Sequence, residues 1–220
     1  MNKTVVFDII GTCFSLDKPR QKLIELGAPP YALQLWFAQT LRDAFALSHA
    51  GGYRPLKEVL EAELPRTLKV LGIEADSEQR SQVVNSFSEL EPQPSALEAF
   101  RLMTTAGWKL VALTNGSEDS TRKLLARANA LDYFSSIHSC DAIQKTKPHS
   151  DVYALAKQDA EGDLWMVAAH AWDIAGAACA GLRTAFITEQ EKEYLSIYPQ
   201  PEVVASDLLE AAEQLVAAAQ

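Results

Sequence analysis

Six polar side chains with chemistry to offer lie in four short stretches of the chain: Asp8, then Thr114 with Asn115, then Lys147, then His170 with Asp173. A carboxylate is a weak nucleophile that becomes an ester on displacement, and water then attacks a more reactive carbonyl. An ammonium within about 4–6 Å favours the ionised carboxylate. His170 stands three residues before Asp173, close enough in sequence to pair with it and act as a general base. Each residue also has a plainer reading. Asp8 before Gly11 suits a hydrogen-bonded turn, Ser117 suits the start of a helix, and Asp173 suits an N-cap ahead of Ile174, worth about 1 kcal/mol. Lys147 could be a solvated loop residue like Lys145.

Placing these groups together is the task of the surrounding elements. Thr4, Val5, Val6 and Phe7 make a short buried strand over 3–8, and Gly11 marks a turn after it. Beyond Pro92 and Pro94 helix and strand alternate: helix over 95–106 with a Ser95/Glu98 capping box, strand over 109–113, helix from 117, and a weaker strand over 137–139. Helix over 149–160, strand over 164–168, helix over 174–180, strand over 183–187 and a terminal helix over 206–219 complete the pattern. Such alternation predicts a parallel sheet wrapped by helices. Ligands of open parallel sheets bind beyond the carboxyl ends of the strands, and each of the four stretches falls at such an end. Four polar strand ends on one rim point to a cleft for a small molecule.

Between 17 and 90 the periodicity is helical. A central helix beginning at Pro30 carries Leu33, Trp36, Phe37, Leu41, Ala44 and Phe45 on one stripe, with Leu35 and Leu47 on a second edge. A helix apolar on two sides is sandwiched, either between the insertion and the sheet or against a second copy in a homodimer. Gly51 and Gly52 end it, Pro55 opens the next helix, and Asp76 with Gln79 forms a capping box.

At 220 residues with net charge −9, the chain has room for one core plus a smaller insertion and too little clustered positive charge for nucleic acid. No apolar run reaches the roughly 18 residues of a membrane span, and the start leads into a strand rather than a signal sequence, so a cytoplasmic protein is expected. Cys13, Cys140 and Cys179 lack metal-type spacing and read as reduced thiols.

The segments FDIIGT, LTNGS, KPHSDVY and AAHAWDIAGA resemble, in order and approximate spacing, the four motifs of the haloacid dehalogenase superfamily. Ile10, Tyr153 and Trp172 make the resemblance closest to its L-2-haloacid dehalogenase branch. That resemblance implies a Rossmann-like core over 1–14 and 91–220, a helical cap over 15–90, and a hydrolase that forms an aspartyl ester without a cofactor. It implies that Asp8 attacks a small 2-halo carboxylate, that Thr12 and Thr114 orient it, that Lys147 offsets negative charge, and that Asp173 activates water; the general-base reading of His170 is separate and rests on its place three residues before Asp173. Asn115, Phe37, Tyr153 and Trp172 are the expected substrate contacts. The branch's cap arginine, which stabilises the departing halide, corresponds to Phe37, while Arg42 lies about 140° further round the helix.

Two rivals remain. The first is a Mg-dependent phosphatase of the same superfamily, with Asp8 and Asp173 as metal ligands. It lacks the acid that such enzymes carry two residues after the nucleophile, where this chain has Ile10, and it has Ala169 where a further carboxylate often stands. Asp8 approaching a phosphoryl group without metal meets repulsion on the order of 4 kcal/mol for each like-charge pair at 4 Å. The second rival is a binding protein that keeps the fold without turnover.

Overall fold

Thr4, Val5, Val6 and Phe7 are buried in β1 (Lys3–Phe7), and a strand apolar on both faces is stable only inside a covered sheet. In the computed structural model, which describes residues 3–158, 160 and 162–218, β1 lies at the centre. It pairs in parallel with β2 (Trp108–Thr114) on one side and β4 (Asp163–Ala168) on the other. With β3 (Phe134–Ser139), β5 (Arg183–Ile187) and β6 (Val203–Ala205) the sheet runs β3-β2-β1-β4-β5-β6, parallel throughout. The strand order reverses direction at β1, the position at which open sheets of this type form their crevice.

Between β1 and β2 come α1 (Asp17–Glu25), α2 (Ala32–His49), α3 (Leu56–Val70), α4 (Ser77–Asn85), a 3-10 turn at Ser86–Glu89, and α5 (Ala96–Thr105). Then α6 (Glu118–Arg127) follows β2, α7 (Ser150–Gln158) follows β3, α8 (Ala171–Cys179) follows β4, and the short α9 (Thr188–Glu191) follows β5. The closing helix is α10 (Leu208–Ala217). Alternate residues of β1 serve the two faces: Val5 and Phe7 pack with Phe100 of α5, and Val6 packs with Val152 of α7 and Ile174 of α8. The chain itself supplies both neighbours of α2. Trp36 Nε1 donates to Leu60 O of α3 at 3.2 Å, while the Phe45 ring meets Trp172 beside β4 at 5.0 Å.

Several local expectations change. Ser95 does not cap α5, because its backbone is already helical (φ −87°, ψ −6°) and its side chain accepts no capping bond, while Glu98 pairs with Arg101 at 3.6 Å instead. Asp173 is no N-cap either. The helix opens earlier, at Ala171, which carries Asp173 inside its first turn. The stripe of α2 starts at Ala32 rather than Pro30. Thr188–Glu191 and Val203–Ala205, only four and three residues long, were too short to leave a period in the sequence. The Asp76/Gln79 box is present in full. Met1 and Asn2, Asp159 in the expected 149–160 helix, and Ala219 at the end of the terminal one lie outside the described residues.

Candidate active site

Asp8 follows β1 directly, and its backbone N–H donates to Val167 O at 3.1 Å, which fixes the residue against the end of β4. The chain then doubles back. Gly11 takes φ +84°, and a Cβ there would stand 2.9 Å from His170 Cε1, so both the turn and the approach of the imidazole require glycine. Returning through the turn, Thr12 Oγ1 donates to Asp8 Oδ2 at 2.6 Å and accepts from Ala169 N at 2.9 Å. The nucleophile candidate, the first loop and the end of β4 are thereby tied into one unit.

Lys147 arrives from the loop after β3 with its side chain fully buried. All three ammonium protons have acceptors: Asp8 Oδ1 at 2.6 Å, Asp173 Oδ2 at 2.6 Å and Leu113 O at 3.1 Å. The other Asp173 oxygen accepts from Tyr153 Oη at 2.7 Å. His170 Nδ1 lies 3.1 Å from Asp8 Oδ2. Burial works to raise the Asp8 carboxyl, but Lys147 and then His170 outweigh it and hold it far below the usual carboxylate range. Burial also raises Asp173, and there it prevails over Lys147. For His170 burial acts downward, yet the hydrogen bond and charge of Asp8 prevail and lift it above the ordinary 6.5. Lys147 is likewise held above its ordinary value, because Asp173 and Asp8 together exceed the cost of its burial.

The space directly over Asp8 is small, about 10 Å3, near the minimum for one water molecule. Phe37 and Leu41 of α2, Leu56 of α3, Ile10 and Trp172 give it apolar walls, and the polar groups facing it come from Asp8, Asn115 and His170. Phe37 stacks on Phe87 and stands 6.3 Å from the His170 ring, so no guanidinium enters from its position in α2. Arg42 is held by Asp43 at 2.7 and 2.9 Å.

Of the residues expected from sequence, Asp8, Thr12, Lys147, His170 and Asp173 form one hydrogen-bonded cluster, with Asn115, Phe37 and Trp172 at the cavity. Two sit elsewhere. Tyr153 is fully buried behind Asp173 rather than on the wall, and the Thr114 hydroxyl accepts from Gly116 N at 3.0 Å, serving the turn into α6. Leu41 and Leu56 were not singled out as lining residues, although Leu41 lies on the α2 stripe.

Cys140 was also passed over, and nothing in the sequence signals its part. Asn115 Oδ1 accepts from Lys147 N at 2.9 Å and from Cys140 Sγ at 2.9 Å. The carbonyl end of the amide is thus engaged, which leaves its NH2 for the cavity. Burial pushes the Cys140 thiol up to about 12, so it remains a protonated donor at neutral pH. Cys140→Ala is expected to lower kcat/KM by roughly two- to tenfold, the worth of one net hydrogen bond, with Cys140→Ser restoring most of it. Equal losses in both variants, measured by steady-state kinetics, would remove the thiol from this role.

A magnesium site built on Asp8 and Asp173 does not fit these donors. The Lys147 ammonium spans the two carboxylates, Ala169 offers no further oxygen, and no group of three His, Cys, Asp or Glu among the described residues is arranged to hold a metal. Nor is any helix among them long and apolar enough to cross a membrane.

The family model for haloacid dehalogenase-like hydrolases matches residues 2–181. The (S)-2-haloacid dehalogenase of Xanthobacter autotrophicus is 29% identical over 201 residues, covering 89% of this chain and 79% of that protein. A second (S)-2-haloacid dehalogenase, from Pseudomonas sp. (strain YL), is 29% identical over 190 residues, covering 84% and 82%. The solved structure of the L-2-haloacid dehalogenase from Xanthobacter autotrophicus with chloropropionic acid covalently bound superposes with a TM-score of 0.85 at 24% identity, over 98% of both chains.

Proposed function

Because the chain belongs to the haloacid dehalogenase-like hydrolases, with a Rossmann-like parallel sheet of that family's kind, we propose that it hydrolyses small 2-halo carboxylates through an ester on Asp8. We assign the core to 1–14 and 91–220 and the cap to 15–90. The observation that carries this reading is the state of Asp8: ionised, buried, held on both oxygens, and facing an apolar space that suits a carbon centre. The similarity to two (S)-2-haloacid dehalogenases supports the same substrate class.

In the first step an Asp8 oxygen bonds to C2, the carbon–halogen bond breaks, and the halide leaves with the bonding pair. Lys147 and Thr12 aim the carboxylate, and the Asn115 NH2 meets the departing halide together with the edges of Phe37 and Trp172. Water then attacks the Asp8 carbonyl, its proton passes to a base, and the 2-hydroxy acid departs as Asp8 is regenerated. Overall, haloacid and water give hydroxy acid, halide and a proton.

His170 is the base in this reading. Asp173 reaches the cavity only through Lys147, since both its oxygens are engaged behind the site, whereas His170 lies on the wall beside Asp8. Esterification removes the Asp8 charge, the main influence lifting the imidazole, and its burial is then opposed only by the weaker pull of Asp173 and Glu191. A proton-holding group in the free enzyme becomes a base once the ester exists. His170→Ala is therefore expected to leave ester formation in place and slow its breakdown by about 10²-fold. Quench-flow mass spectrometry should find the Asp8 adduct accumulating, and unchanged turnover with no adduct would end this assignment.

The reading as a whole is tested by parallel assays of halide release from 2-halopropionates and phosphate release from an aryl phosphate, with and without Mg2+. Halide release independent of the metal is expected. Metal-dependent phosphate release alone would replace this reading with the phosphatase one.

A further inference from the structure

A helix leaves its first N–H groups without intrahelical partners, and the side chain at the N-cap position ordinarily takes one of them. In α8 that position belongs to His170, whose backbone is extended (φ −109°, ψ 117°) and whose side chain makes no capping bond. The imidazole turns instead to Asp8 Oδ2. It sits between Gly11, where a Cβ would stand 2.9 Å from the ring, and Trp172, whose ring centroid lies 5.4 Å away. One side chain cannot serve both the helix and Asp8. The helix is served from outside. Because β4 and β5 pair in parallel up to Ala168 and Phe186, the segments that follow them leave the sheet side by side, and Glu191 at the end of α9 reaches across. Its Oε2 accepts from Ala171 N, the first N–H of α8, at 2.9 Å. A carboxylate in that place is also favoured by the helix dipole.

Resting on the dehalogenase reading, we propose that Glu191 is a positioning residue for ester hydrolysis: by capping α8 from a neighbouring element it leaves the His170 side chain free to face Asp8 as the base. Without it the N–H beside His170 has no acceptor, and the backbone that aims the imidazole loosens. Lost orientation slows the step that the base serves and spares the step that it does not. The Glu191 charge acts in the same direction, since it favours the protonated imidazole, the form His170 takes once it holds the proton from water.

The experiment follows the Asp8 ester of (S)-2-bromopropionate by quench-flow mass spectrometry in the wild type, Glu191→Ala, Glu191→Gln, His170→Ala and the His170→Ala/Glu191→Ala double variant, with thermal melting to verify that each is folded. Glu191→Ala is expected to leave ester formation within about twofold of the wild type and to slow breakdown by about tenfold. Glu191→Gln, which keeps an oxygen for Ala171 N, should recover most of that loss. With His170 already gone, removing Glu191 should change breakdown by less than about twofold, because residues that act through one another are not additive. A tenfold loss that persists in the His170→Ala background, or a loss spread equally over both steps, would make Glu191 merely structural and overturn the proposal. Melting supplies a second check. In His170→Ser the hydroxyl can cap α8 itself, so Glu191→Ala should lower the melting temperature there by less than about half of its effect in the wild type. An equal drop overturns the exchange of roles. Ester that decays in Glu191→Ala at the wild-type rate also overturns the proposal, and leaves the dehalogenase reading standing. Neither ester nor bromide from the wild type overturns that reading, and this role of Glu191 falls with it.

Discussion

Asp8→Asn is expected to reduce halide release by on the order of 10⁴-fold or more, the scale on which loss of a covalent nucleophile acts. The amide keeps the shape of the carboxylate, and its oxygen can still accept from Lys147, so the fold should persist with Lys147 paired to Asp173 alone. What disappears is the negative charge that makes the oxygen a nucleophile able to form the ester. A second measurement separates this from a general loss of geometry. During a single turnover in H2(18)O, the wild-type protein should acquire label in the Asp8 carboxyl group, detectable by mass spectrometry of the peptide that contains it. Label confined to the hydroxy acid product would mean that water attacks carbon directly and that no aspartyl ester exists.

Lys147→Met should produce the largest loss of stability of any single change at this site. The side chain is fully buried and its ammonium lies 2.6 Å from each of two carboxylates. Removing one member of a buried ionic group leaves uncompensated charge and costs about 3–5 kcal/mol. Asp8 and Asp173 would then face each other with only His170 to offset them. One of the two must take up a proton, so its folded pKa rises above the unfolded value. For a carboxyl shifted in that direction the folded state gains protons, and the variant's deficit should shrink as pH falls through the raised pKa. Chemical denaturation across pH tests the sign. In an Asp173→Asn background the same substitution should cost less, because one of the stranded charges is already gone. A deficit that is equal in both backgrounds and flat with pH would show that packing, not charge, governs the position. Halide release should fall by about 10³-fold, since Asp8 loses both its orientation and its bias toward ionisation.

How much of this was legible in sequence depended on whether a residue acts through the chain's own period or through a neighbour remote in sequence. The parallel sheet was legible because apolar runs such as Val5–Val6–Phe7 and Leu110–Val111–Ala112 alternate with amphipathic helices, and the polar residues that end those strands must share a rim. Short segments escaped, as Val203–Ala205 did, because three residues cannot display a repeat. Ser95 with Glu98 matched a capping box in type and spacing but not in backbone angle, which only the preceding chain direction settles. Tyr153 was expected at the wall and lies buried behind Asp173, where its hydroxyl donates to that carboxylate, a partner 20 positions away in sequence. Cys140 holds Asn115 across 25 positions of sequence, and no spacing rule connects two such residues. Phe37 could be matched to a position in a motif, but its stacking on Phe87 from a distant 3-10 turn could not be read from α2 alone.

The space over the reactive carboxyl, about 10 Å3 and walled by Ile10, Phe37, Leu41, Leu56 and Trp172, holds no more than one water molecule as it stands, so it must widen to admit a haloacid. Small nucleophiles such as methanol or hydroxylamine can follow the substrate in, and their attack on the Asp8 ester should compete with hydrolysis when they are abundant.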